Sequence, residues 1–173
     1  MQPTIMGNRM GPDGNRILGD DFIINKIIYR FSEPQRGDVI AFSTRGLRNC
    51  ERGKSYVKRI AGLPGETICI DPPYLLINGK RVAEPRVFKK ISEGKDGYTG
   101  FYPATPPKFA DTPCIAIGKI TLGKDEYLVL GDNSRNSFDS RYFGPIKMNR
   151  NPWQGDLYLR TSRQETMDRM NSQ

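Results

Sequence analysis

Histidine is absent from all 173 positions of the chain. That one absence removes Ser-His-Asp and Cys-His catalysis, the HExxH zinc sites and every other histidine-bearing metal centre. Cysteine is scarce. Cys50, Cys69 and Cys114 lie far apart with no CxxC spacing, so neither a structural zinc site nor a disulfide framework is expected, and the redox compartment stays open. Long apolar runs are missing as well. The longest, such as EYLVL and CIAIGKI, fall far below the ~18 to 20 residues that cross a bilayer, so the sequence as it stands reads as a soluble chain without a signal peptide. With no histidine, acid-base chemistry near neutral pH falls to a carboxylate, a tyrosine, a thiol or a lysine.

Positive charge is in excess: 27 Lys and Arg stand against 19 Asp and Glu, a net charge of +8. Such a balance suits nucleic acid or an anionic membrane surface and does not choose between them. The basic residues are scattered (Arg45, Arg48, Arg52, Lys54, Lys89, Lys90, Lys147, Arg150), with no RNP-like aromatic motif and no recognition helix. A nucleic-acid partner is therefore not expected.

Eighteen glycines and thirteen prolines cut the chain into short pieces rich in β-branched and aromatic residues: DFIINKIIY, GDVIAFS, SYVKRIA, ETICI, YLLING, EYLVLG and DLYLR. Turns every ~8 to 15 residues between such pieces predict a mainly β, antiparallel fold with weak helical periodicity throughout. The Asn-Gly pair in YLLINGKRV is the best hairpin signal. One domain is expected, with a β core over 1–83 and 121–162 and a polar tail, 163–173, able to form a short helix. Between the core segments, the Lys-, Gly- and Pro-rich stretch 84–120 reads as an inserted subdomain or long loop set.

Within YVKRIAGLPGE, residues 56–66, alternation along an extended strand places Lys58 on one face with Tyr56 and Ile60, and Val57, Arg59 and Ala61 on the other. For an arbitrary strand lysine the ordinary explanation is a snorkelling side chain with its ammonium in water. Likewise GDNSRNSFDSRYFG, residues 131–144, is first of all a polar turn-rich loop whose Asn, Asp and Ser satisfy backbone groups.

Taken together in order and spacing, MQPTI (1–5), RGDVIAF (36–42), YVKRIAGLPGE and GDNSRNSFDSRYFG resemble the signature boxes of type I signal peptidases, membrane-anchored proteases with a Ser/Lys dyad. The resemblance spans about Met1 to Ile146 and is weakest across the insertion. It implies a signal-peptidase-type β-barrel-like core and a serine endopeptidase that removes signal peptides from exported preproteins after small residues (Ala-x-Ala). It also implies Lys58 as general base. A solvated lysine is neutral in about 0.04% of molecules at pH 7, and a pKa near 8 raises that to about 9%, so burial must supply about 3 kcal/mol toward the neutral amine. Tyr56, Val57 and Ile60 suit that task, and Arg59, on the other face, is expected to stay solvated.

The same resemblance implies that Ser137 hydrogen-bonds the Lys58 amine and aims it, and that Asp139 and Arg141 form the salt bridge fixing this loop. Asp132 and Asn133 are left as structural or supporting residues. Met1, Pro3, Ile5, Tyr56 and Val57 match positions lining the shallow substrate pockets. No metal or cofactor is implied. The partners are signal peptides and the membrane surface, the chain is read as a monomer, and the catalytic domain is placed on the extracytoplasmic side of the plasma membrane.

In the family pattern Ser-Met-x-Pro-Thr the serine is the nucleophile, and this sequence begins at the methionine. The nucleophile is thus expected immediately before Met1, together with an upstream oxyanion-hole group and a membrane helix. As it stands the chain is expected to be inactive, a shortened catalytic domain being favoured over a serine-less relative. Two further readings remain. Self-cleaving repressors share the dyad but carry a DNA-binding domain and an internal cleavage site that are not here. A non-catalytic module would bind export substrates or nucleic acid.

Overall fold

The computed structural model describes residues 1–20, 32–51, 53–104 and 119–148, and the backbone alone of 24–25 and 159–161. The helix expected in RQETMDRMNSQ, most of DFIINKIIY, and Cys114 lie outside the described residues.

Short apolar segments between turns become antiparallel strands, as the sequence predicts. The largest sheet is built on β4 (Val39–Ser43) and β5 (Ser55–Gly62), which pair from Val39 with Arg59 to Ser43 with Ser55. Its order also uses β3 (Ile24–Asn25), β10 (Glu126–Leu130), β11 (Ile146–Lys147) and β12 (Leu159–Thr161), running β11-β10-β5-β4-β12-β3. A second sheet, β8-β7-β6-β9, combines β6 (Thr67–Asp71), β7 (Tyr74–Ile77), β8 (Lys80–Arg81) and β9 (Ile120–Thr121). The hairpin β1 (Arg9–Met10) and β2 (Arg16–Ile17) stands as a separate two-stranded sheet.

Turn chemistry fixes the connections. In GLPGE, Gly65 adopts φ 78° and the Glu66 N–H donates to the Leu63 carbonyl at 3.2 Å, so Pro64-Gly65 closes the turn from β5 to β6. Asn78 and Gly79 have φ of 51° and 78°, both positive as a two-residue β7–β8 hairpin requires.

The sequence shows little helical periodicity, yet α1 (Arg86–Ser92) forms inside the stretch expected to be β and loop. Seven residues are too few to display a period in the sequence. What holds α1 is packing: Val87, Phe88 and Ile91 are buried in one cluster with Ile68 and Leu75 of the second sheet and Leu128 of β10. A second cluster, on the opposite face of β5, contains Ile40, Phe42, Ile60, Tyr127, Val129 and Phe143. The two faces of β5 serve two cores: Ile60, with Tyr56 packed beside it, belongs to the second cluster, and Ala61 to the first. Among the described residues no helix is long and apolar enough to cross a membrane.

Candidate active site

Lys58 sits in the middle of β5 opposite Ile40, on the face that builds the second cluster. Its neighbours there are Ile60, fully buried, and Tyr56, whose ring centroid lies 5.4 Å from Nζ. Burial pushes the Lys58 amine below the ordinary lysine range. The Asp139 and Asp132 charges act against that shift, and Arg141 adds to it. Among the described residues Lys58 has no ion-pair partner.

Arg59 does not stay solvated. It is 1% exposed, and its guanidinium grips Asp132 through two 2.8 Å bonds, Nε to Oδ1 and Nη2 to Oδ2, while Nη1 donates to the Gly37 carbonyl at 2.7 Å. Alternation assigned Arg59 to the correct face. It carried no information about what covers that face, which is the other core. The buried guanidinium explains two motifs at once: Gly37 of RGDVIAF supplies a carbonyl, and Asp132 of GDNSRNSFDSRYFG supplies the counter-charge. Thr4 of MQPTI joins them, donating to Asp132 Oδ2 and receiving a 3.3 Å contact from Arg59 Nη2.

The loop after β10 is held by Asp139 and Arg141, both buried. Arg141 Nε and Nη2 each donate to the Asp139 carboxylate at 2.7 Å, a two-point ion pair. Asp139 is extended (φ −145°, ψ −163°), while Arg141 lies in a helical turn. Asp139 is the N-cap of a one-turn helix, α2 (Ser140–Phe143), and accepts from the Arg141 N–H at 3.2 Å, so the pair forms across the helix start. Asp139 Oδ2 also accepts from the Gly131 N–H at 2.9 Å. Ser140 Oγ accepts from the Val129 N–H at 2.9 Å, where the β5–β10 register shifts between Leu128 and Val129.

Ser137 lies directly over Gly131. A Cβ built on Gly131 would stand 2.0 Å from Ser137 Oγ and 2.6 Å from its Cβ, so only glycine permits this approach. The hydrogen bond expected between Ser137 and Lys58 is not made. Ser137 Oγ is buried without a partner among the described residues, and the Lys58 amine rests over the Tyr56 ring instead. An unpaired buried hydroxyl costs about 1–3 kcal/mol, which leaves Ser137 as an unused donor in the site.

MQPTI is half-buried and folded into a turn, with the Ile5 N–H on the Met1 carbonyl at 3.0 Å. The Met1 amine is held below the usual α-amine range by burial first and by the Lys58 charge second. Met1, Tyr56 and Lys58 are thus brought together, Pro3 lies near the backbone of Gly97, and Val57 points to the opposite face of β5.

Several contributors escaped the sequence reading. Gly131 and Ser140 had a signal, small residues flanking a strand end in a long polar motif. Tyr98 and Tyr102, which reach the site from residues 84–120, had none. Among the described residues no group of His, Cys, Asp or Glu is arranged to hold a metal ion.

Known proteins resemble this chain in sequence. Signal peptidase I V of Bacillus subtilis is 38% identical over 131 residues, covering 75% of this chain and 68% of its own length. Probable signal peptidase I-2 of Synechocystis is 34% identical over 128 residues, covering 73% of this chain and 49% of its own. The crystal structure of a signal peptidase I from Enterococcus faecalis is 32% identical, covering 67% of this chain and 91% of that one. The TM-score between the two is 0.46. The chain thus spans about half to two thirds of the length of these curated relatives. Residues 4–151 match the family described as signal peptidase, peptidase S26, and the chain belongs to that family.

Proposed function

We propose that this chain is the catalytic part of a serine endopeptidase that removes signal peptides from exported preproteins after small residues, with Lys58 as general base. The observation that carries the reading is Lys58: a lysine without an ion-pair partner among the described residues, its amine pushed toward neutrality by burial. The nucleophile is a serine bonded to the Met1 nitrogen, an atom within electrostatic reach of Lys58.

The serine Oγ attacks the scissile carbonyl carbon while Lys58 Nζ takes its proton. The same ammonium then protonates the leaving amine, and the acyl-serine ester is hydrolysed by a water that Lys58 deprotonates. Ser137, with its spare buried hydroxyl, turns to the amine once substrate excludes water, since catalytic hydrogen bonds tighten in the substrate complex. Met1, Pro3, Ile5 and Tyr56 line the pockets that admit an extended Ala-x-Ala segment, and Val57, on the other face of β5, does not share them. The domain works as a monomer at the extracytoplasmic face of the membrane, where the exposed Met10 and Leu18 and the +8 charge favour contact with lipid.

The test compares the 173-residue chain with the same chain carrying a serine before Met1, on a peptide whose signal ends in Ala-x-Ala. Cleavage is expected only with the serine, and Lys58→Ala lowers it by about 10²–10⁴-fold. No cleavage with the serine in place, or cleavage that survives Lys58→Ala, would overturn the reading in favour of a non-catalytic substrate binder or a different base.

A further inference from the structure

The two halves of the site, MQPTI and the 131–144 loop, are both tied to a short segment that no sequence motif marks. At one end, Tyr98 Oη lies 2.7 Å from Thr4 Oγ1. The direction of that bond follows from proton counting. Thr4 has one hydroxyl proton, and it goes to Asp132, whose ion-paired carboxylate offers only acceptors. Thr4 Oγ1 therefore accepts from Tyr98, and from Arg59 Nη2 at 3.3 Å. Beside it, Gly97 runs at φ 83° against Pro3, and a Cβ there would meet the Pro3 ring at 3.7 Å.

At the other end, the Tyr102 N–H donates to Ser134 Oγ at 2.9 Å and its carbonyl accepts from Arg141 Nη1 at 2.7 Å. The Arg135 guanidinium stacks 3.9 Å from the Tyr102 ring centroid.

The middle is rigid. Phe101 is 1% exposed, lies face to face with Phe88 of α1 at 6.0 Å, and donates its N–H to the Pro73 carbonyl at 3.0 Å. Gly100, at φ 89°, passes so near Pro73 that a Cβ would approach its Cβ to 2.7 Å.

We propose that residues 97–102 are a brace for the peptidase reaction, with Tyr98 as a positioning residue. Tyr98 holds MQPTI, and with it the nucleophile bonded to Met1. Tyr102 holds the loop that carries Ser137. One rigid segment thereby sets the distance between the attacking group and the group that aims its base. Its loss falls chiefly on the chemical step, because positioning errors of about 1 Å lower rates by up to about 10²-fold, with a smaller effect on substrate binding through the pocket residues of MQPTI. The proposal rests on the peptidase reading above.

The experiment uses the chain with serine before Met1 and the variant Tyr98→Phe, which keeps the ring and removes the one donor. The expected result is a kcat about ten-fold lower, KM within about two-fold, and an unchanged melting temperature. A double-mutant cycle with Thr4→Val adds a second reading: if the Tyr98–Thr4 bond carries the effect, Tyr98→Phe costs nothing further in the Thr4→Val background. Parental kcat in Tyr98→Phe, or effects that simply multiply in the double variant, would overturn the brace. An inactive parent, or a parent insensitive to Lys58→Ala, would instead overturn the peptidase reading, so the two failures are distinct.

Discussion

A charged amine at Lys58 loses solvation when the chain folds, and the Asp139 and Asp132 charges only partly offset the loss. Its folded pKa is therefore below the unfolded value of about 10.4. The sign follows from proton counting. Below the folded pKa the lysine is charged in both states, and the folded state bears the full penalty. Between the two values the unfolded state binds more protons, so stability rises with pH, and above about 10.4 the penalty is gone. Lys58→Met is accordingly expected to raise the melting temperature at pH 7, with the gain shrinking as pH climbs through the alkaline range. Thermal unfolding of both proteins across pH checks this, and a Met variant no more stable at pH 7 would show that the amine is not desolvated. At this scale much was legible in the sequence. Strand alternation placed Lys58 among Tyr56 and Ile60, and the family motifs anticipated the Asp139–Arg141 ion pair, though not the missing Ser137–Lys58 bond. What could not be read was the environment of Arg59, because alternation gives a direction and burial depends on what arrives from elsewhere in the chain.

At the scale of elements, the segment from the end of β10 through α2 works as one unit. Asp139 bonds Gly131 and Arg141, and Ser140 takes up the Val129 N–H at the register shift. The absence of a side chain at Gly131 lets Ser137 lie across it. Gly131→Ala would drive a methyl into both Ser137 Oγ and Cβ, so the serine backbone has to move. The expected outcome is a loss of activity of about 10²-fold in the serine-bearing chain, with about 1–3 kcal/mol of destabilisation from overpacking. Paired kinetics and urea unfolding check it, and near-parental activity would mean that Ser137 has no part in the reaction. Strands and turns at this level were legible from β-branched residues and from the Pro64-Gly65 and Asn78-Gly79 pairs. The helix α1 was not, since seven residues with apolar Val87, Phe88 and Ile91 gain their helical state from the core they enter.

At the scale of the molecule, the exposed large apolar side chains among the described residues gather in one place: Met10 at 68%, Leu18 at 76% and Ile17 at 37%, on or beside the β1–β2 hairpin. The register sets Arg9 opposite Ile17 and Met10 opposite Arg16, so each face presents an apolar group with a cation. That pairing suits the interface of an anionic bilayer. Met10→Ser with Leu18→Ser is expected to weaken binding to anionic vesicles by at least about ten-fold, since complete burial of even one such side chain is worth ~1.5–3 kcal/mol, and added salt is expected to weaken the parent. Co-sedimentation measures both, and a double variant that binds like the parent would remove the hairpin from the membrane contact. The sequence by itself determined the β class, the turns and the family, because these depend on local alternation, on glycine and proline geometry, and on motifs of fixed spacing. Only the tertiary structure decided that Arg59 is buried against Asp132, that Ser137 is left without a partner among the described residues, and that Tyr98 and Tyr102 span the site. Each of those is set by which distant segments meet, and a reading of neighbours along the chain carries no record of such meetings.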